Sequence, residues 1–334
     1  MIKLTKKAAY KSIQTLDPFI ARLKLKNRSE EGTFRAICLH AVRKGKPSPY
    51  LPPNFETPVS QLKELIERLL ENQYIFIKAS ELNQGLRDDK KYIAVTFDDG
   101  YSSVVHAVEL FKSYNLSLTI FVSPYFLEKQ ISFWSDIMYR EASEYPSKKD
   151  MVYEKLVKFR EIPQKYREDF IIKNFGKKAI QYKCDSDRPM TMKELSEIHD
   201  YGNVEVGNHT MTHVAINNKN KSFIFSELVS AQDSIERAIG HRPPSIAFPF
   251  GYYDNFALEV CKSVGFEIAF TTEEKKHSLK NNKNSSLSVF GRYGNWINRI
   301  DLNKYIYKIR SGSLFSEDAL RYKQNLFRSN QRRM

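Results

Sequence analysis

The sequence predicts an α/β fold in which parallel strands alternate with covering helices, and three observations predict it. From Arg35 onward, short apolar runs of strand length alternate with longer runs of helical period. The order strand, helix, strand repeats along the chain, which is the pattern of parallel sheets. Three clusters rich in Asp, His, Pro and Gly follow directly on apolar strands, where such folds gather their function.

Taken in order, residues 36–39 form a short apolar strand that ends at His40, followed by a loop in which Pro47, Pro49, Pro52, Pro53 and Pro58 forbid regular structure. Val59, Leu62, Leu65, Ile66, Leu69 and Leu70 mark an amphipathic helix, and residues 74–77 a strand. Residues 92–97 read as a buried strand running into Asp98, Asp99 and Gly100; a helix over 104–114 and a strand over 118–122 come next. The stretch 134–190 is charged and helix-favouring, and breaks the rhythm as a helical insertion. The alternation resumes with a strand at 204–206, a helix at 222–239, a strand at 245–248, a helix at 254–263 and a strand at 266–270.

Composition narrows the class. With 334 residues the chain can bury a full core, and 22 Phe with 19 Tyr exclude intrinsic disorder. No apolar run approaches the roughly 18 residues that span a bilayer, and the first thirty residues lack the apolar segment and cleavage site of a secretory signal. Cys38, Cys184 and Cys261 are too few and too scattered for a disulfide framework, so a reducing, cytoplasmic setting is expected. The net charge of +14 suggests a polyanion partner, but residues 1–30 and 303–334 contribute +6 each, leaving +2 for the body. Both ends read as short basic amphipathic helices, Ser316 capping the second; they either pack on the body with Lys and Arg in water or contact an anionic membrane. With a nearly neutral body, no nucleic-acid partner is expected.

Three strand-end clusters carry the chemistry. Asp98 and Asp99 are adjacent carboxylates released by Gly100, and both ionise comfortably only beside a cation, although the same three letters also make an ordinary turn. His209 and His213 are four apart, a spacing that places two imidazoles on one face of a helical turn as a metal pair, or as a pair with no metal. Residues 248–254, with Pro249 and Gly251, make an exposed bend, chemically active or simply a connecting loop.

All three clusters fall at ends of strands expected to be parallel, and their order resembles one family. The chain is identified as a member of the polysaccharide deacetylases, the NodB-homology carbohydrate esterases, whose motifs Thr-Phe-Asp-Asp-Gly and His-Ser/Thr-x-x-His stand here unchanged at residues 96–100 and 209–213. The run 38–42 is similar to the family's Tyr-His-x-Val, and the resemblance covers about residues 35–300. It implies an irregular (β/α) barrel of about seven parallel strands interrupted by the helical insertion. It implies further that Asp99, His209 and His213 bind a divalent metal, most often zinc, with Co2+, Ni2+ or Mn2+ as alternatives, and that Asp98 is the general base. The metal would activate water and polarise an N-acyl carbonyl, and a backbone N–H near Phe250 would hold the oxyanion. Gly251 and Tyr252 belong to that third motif.

Two departures stand out. Ala247 occupies the position where many members carry the arginine that orients the base, and the family's late Leu-x-His, which supplies the general acid, is missing. His40 becomes the candidate acid or substrate contact, with a core histidine as the alternative; His277 reads as part of a solvated loop. Arg292, Trp296 and Arg299 are expected to line the late part of the site, and Trp134 to stack on sugar or pack. The chain thus divides into a basic segment at 1–34, a deacetylase domain at 35–302 and a basic tail at 303–334. The expected substrate is an N-acetylated glycan or lipid-linked sugar. A non-catalytic saccharide-binding module and a polyanion-binding protein remain alternatives.

Overall fold

The computed structural model describes residues 30–52, 55–144, 149–279, 286–294 and 301–313. The proposed basic helices at 1–29 and 314–334, with Ser316, and the candidates Trp296 and Arg299 lie outside the described residues.

The chain opens with β1 (Thr33–Leu39), a short β2 (Ala41–Arg43) paired with β3 (Glu56–Pro58), and α1 (Val59–Glu71). β4 (Ile75–Phe76), β5 (Lys91–Phe97), α2 (Val105–Ser113), β6 (Leu118–Val122) and α3 (Pro124–Lys129) continue the alternation. The insertion supplies α4 (Trp134–Glu144), α5 (Lys149–Lys158) and α6 (Gln164–Phe175), and α7 (Met192–His199) returns to the body. β7 (Val204–Asn208), α8 (Lys221–Ile239), β8 (Ser245–Ala247), α9 (Asn255–Val264), β9 (Ile268–Phe270), β10 (His277–Ser278), β11 (Ser288–Phe290) and α10 (Leu302–Ser311) complete the chain.

Seven of these strands form the expected barrel. β1, β5, β6, β7, β8, β9 and β11 pair in parallel in that order. The ring closes just beyond β11, where Tyr293 N donates to Ala36 O and Tyr293 O accepts from Cys38 N, each at 2.8 Å. β4 adds to the first half of β5, and β10 lies antiparallel on the start of β1. Register decides what emerges together: Leu39 faces Phe97 and Val122 faces Asn208, so His40 leaves the barrel beside Asp98, and Ser123 beside His209.

Phenylalanines fill the barrel. Phe34, Phe121, Phe270 and Phe290 are buried, with centroid separations of 5.3 Å for Phe34 and Phe290 and 5.6 Å for Phe121 and Phe270. Gly207 is required here, because a Cβ would overlap the Phe121 ring. Outside, α1 turns Leu62, Leu65, Ile66 and Leu69 onto the sheet, each contributing about 2 kcal/mol by burial.

Three expectations need correction. Residues 209–213 are irregular, not a helical turn, because Thr210 and His213 adopt left-handed backbone at φ 62° and 51°. His277 is in β10, where its ring packs on Phe34 and Phe290 and burial lowers its pKa to about 4. The boundary drawn at 302 falls inside the packed body, since α10 buries Tyr305, Ile306 and Ile309 and accepts a hydrogen bond from Arg35 Nε at Ile309 O. The insertion is helical through residue 180 and returns as an extended segment, fastened by buried Asp187, which takes hydrogen bonds from Arg140 and Ser132.

Candidate active site

Asp98 continues β5, its N–H donating to Leu39 O at 2.9 Å. The next side chain of an extended strand would point the opposite way. Asp99 instead adopts φ 76°, a left-handed conformation that Asp tolerates better than most residues, and this turn brings its carboxylate back to the same mouth. Gly100 follows at φ 92°, where a Cβ would press on Val122 and Leu127. The three residues of the first motif therefore serve one bend.

The second motif is held from several sides. His209 N donates to Val122 O at 2.9 Å, and Ser123 Oγ donates to His209 O at 2.8 Å. Asn208 Oδ1 accepts from Thr210 N, which closes the turn that sends His213 back toward Asp99. Glu227 of α8 accepts from Thr212 N and Thr212 Oγ1, both at 2.9 Å. Arg167 of α6, fully buried, donates through Nη1 to the carbonyls of Thr212 at 3.1 Å and His213 at 3.3 Å. The insertion thus builds one wall of the histidine loop.

His213 Nε2 lies 3.2 Å and His209 Nε2 3.5 Å from Asp99 Oδ1, and the ring centroids are 4.9 Å apart. This donor set fits a divalent cation. His209 Nδ1 is 2.7 Å from Ala247 O, which makes Nδ1 the protonated nitrogen and leaves the Nε2 lone pair facing a carboxylate. Two electron-rich atoms so placed need a proton or a metal ion between them. Burial opposes charge on His209, but Asp98 and Asp99 outweigh it and raise its pKa. At His213 burial prevails over the pull of Asp99 and lowers the pKa to about 3, so this imidazole is neutral, the form that binds metals.

Asp98 is set apart from that triad by Arg292. The guanidinium donates from Nη1 to Asp98 Oδ1 at 2.6 Å and from Nη2 to Asp98 Oδ2 at 2.7 Å, and also to Thr96 Oγ1 and Thr271 O. Burial alone would raise the Asp98 pKa; Arg292 and His209 reverse this and hold it well below the usual carboxylate range. Arg292 is 1% exposed and rests over Phe121 and Phe270, so it is not the substrate contact expected of it. From just beyond β11, Arg292 fixes the direction of the Asp98 carboxylate, whereas Ala247 at the end of β8 has no polar side chain to offer it.

Cys38 Sγ lies 3.2 Å from Asp98 Oδ2, and His40 completes a cluster with them at the mouth. A second cation there would meet the Arg292 charge, which argues against a second metal. His40 is half-buried with its ring 4.6 Å from Phe55. In the third motif Phe250 sits at φ 59° with its ring 4.8 Å from that of His213, bringing this bend beside the Asp99, His209 and His213 cluster. Gly251, at φ 73°, has no room for a Cβ against Thr272. Tyr252 is exposed, and its hydroxyl oxygen accepts a hydrogen bond from Arg160 Nη1 at 3.0 Å. Trp134 is 2% exposed, packed among Phe159, Phe250 and Arg167, and offers sugar no free face; stacking is therefore replaced by packing.

Arg167 and Glu227 escaped the sequence reading because nothing in their own segments marks them; only the folded chain brings them to Thr212. Arg292 carried a visible signal in the short segment Leu287, Ser288, Val289 and Phe290 before it, whose last three residues form the unassigned strand β11.

A profile described as polysaccharide deacetylase matches residues 85–269. Among solved structures, the deacetylase PplD of Streptococcus pyogenes, in complex with acetate, superposes with a TM-score of 0.56 at 14% identity, over 83% of this chain and 98% of that one. A de-N-acetylase from Aggregatibacter actinomycetemcomitans gives 0.54 at 15% identity, over 79% and 95%. IcaB from Ammonifex degensii gives 0.54 at 14%, over 83% and 99%. At these identities the likeness is one of fold. Among curated proteins, none matches the sequence significantly. The matched profile spans more than half of the chain and includes both unchanged motifs, and on that ground the chain belongs to the polysaccharide deacetylase family.

Proposed function

We propose that this protein is a metal-dependent hydrolase that removes an N-acetyl group from an amino sugar of a glycan or glycan precursor. One observation carries the reading: a second carboxylate, Asp98, is kept ionised by Arg292 beside a triad that already suffices to hold a cation. A binding module needs only the triad.

Asp99, His209 and His213 would hold the ion, and zinc suits one carboxylate with two imidazoles. When bound, the ion lowers the pKa of water and polarises the acetamide carbonyl. Asp98 takes a proton from the attacking water, and Arg292 keeps its carboxylate aimed while the charge changes. The water oxygen bonds to the acyl carbon, the C–N bond breaks, and acetate and a free amine leave. The developing oxyanion is assigned to the backbone N–H of Phe250, in the bend whose ring lies 4.8 Å from that of His213; the N–H groups of Gly251 and Tyr252 are already donated to Phe248 O and Pro249 O. His40, at the mouth beside Asp98, is the acid in reach of the leaving amine.

The test is Asp98→Asn, with metal content and acetate release measured across a panel of N-acetylated sugars. Metal retained with acetate release lost supports the reading; full activity in the variant overturns the base. A wild-type protein that holds metal and binds saccharide but releases no acetate would be the non-catalytic module instead.

A further inference from the structure

A cleft of about 230 Å3 opens between the turn after β2, the start of α2 and the segment that ends the insertion. Arg43, Lys44, Lys46 and Arg188 line it together with Ser102 and Ser103. Hydrogen bonds fasten its walls: Val42 N donates to Ser103 Oγ at 3.2 Å, Ser102 N to Arg188 O at 2.9 Å, and Ser102 Oγ to Asp185 O at 3.0 Å. Since Ser103 Oγ accepts from the backbone, its own proton is free to donate.

The charges in the cleft are unequally compensated. Arg188 forms a bidentate pair with Glu194 at 2.9 and 2.8 Å and approaches Asp185, which also borders the cleft, at 3.5 Å. Lys44 reaches Glu109 at 3.6 Å. Arg43 donates to Gly45 O, and among the described residues neither Arg43 nor Lys46 meets a carboxylate. Two unpaired cations in one concave wall repel each other and attract an oxyanion, and an arginine with a serine hydroxyl matches phosphate or carboxylate oxygens.

Its place ties the cleft to the catalytic centre. The chain leaving His40 becomes β2 and ends at Arg43, and the chain leaving Asp99 reaches Ser102 and Ser103. Both walls are direct continuations of the segments that bear the catalytic groups.

We propose that this cleft binds an anionic group, phosphate or carboxylate, on the glycan next to the acetylated amino sugar, so that the substrate is an anionic rather than a neutral glycan. Its assignment as a substrate subsite rests on the deacetylase reading; the binding of an anion does not.

Isothermal titration of the metal-loaded full chain with inorganic phosphate tests the site itself. Arg43→Ala with Lys46→Ala should weaken phosphate binding about tenfold or more, two charge-assisted contacts being lost, while Lys63→Ala on the exposed face of α1 leaves it unchanged. Equal binding by wild type and the double variant, or none in either at millimolar phosphate, overturns the proposal. Acetate release then identifies the source: the double variant should raise KM for hyaluronan oligosaccharides if the group is a uronate, or for N-acetylglucosamine 1-phosphate if it is a phosphate. Turnover of neutral chito-oligosaccharides should be unchanged, and an equal loss on neutral substrates overturns the subsite. Phosphate binding that depends on Arg43 and Lys46 in a protein that deacetylates nothing would keep the anion site and remove the enzyme.

Discussion

Arg292 grips Asp98 through two parallel hydrogen bonds of 2.6 and 2.7 Å, with both side chains withdrawn from water. The guanidinium comes from just beyond β11, while Ala247 on β8 has no polar side chain to hold Asp98. It also explains how a buried carboxylate stays ionised beside a second one.

Arg292→Met should therefore raise the Asp98 pKa and move the acid limb of the kcat/KM profile to higher pH. The variant should also lose about 3–5 kcal/mol of stability, because a buried charge is left alone. Arg292→Lys, which keeps the charge without the fork, should fall between the two. An unmoved acid limb in Arg292→Met would show that Asp98 is not governed by this pair.

The sign of the linked stability follows. The folded Asp98 pKa is depressed, so its contribution is present above the ordinary carboxylate pKa of about 4 and is lost as the pH falls further. Denaturant titrations of the wild type should show stability declining in that acidic range, with a shallower decline in Arg292→Met.

His213→Ala should lose metal and activity together, and elemental analysis that finds the metal retained would refute the ligand set. Because the neighbouring carboxylates raise the His209 pKa, a proton competes with the metal there. Metal affinity should accordingly fall on acidification, read by competition with a chelator.

Arg167 holds the carbonyls of Thr212 and His213 from inside the insertion. Arg167→Met should weaken metal binding about 10- to 100-fold, as losses of groups that orient metal ligands do. A chelator competition that gives wild-type affinity would assign the residue to packing alone.

Burial pushes the Cys38 thiol pKa well up, leaving little thiolate beside Asp98. Iodoacetamide should label half-buried Cys184 in the native protein and spare Cys38, as mass spectrometry of tryptic peptides would show.

The sequence by itself determined the alternation of strands and helices, the place of the insertion and the four central residues Asp98, Asp99, His209 and His213. These are legible because apolar periodicity and short motifs are local properties of the chain. Local patterns did not give the backbone of the histidine loop, where the spacing suggested a helical turn and Thr210 and His213 instead turn left-handed. Nor did they reveal the roles of Arg292, Arg167, Glu227 and Trp134. Whether an arginine is a substrate contact or a buried clamp depends on which carboxylate the barrel closes against it. Arg292 meets Asp98 only because β11 pairs with β9 while the following Tyr293 bonds to β1. That closure joins residues almost two hundred positions apart, and only the tertiary structure decided it.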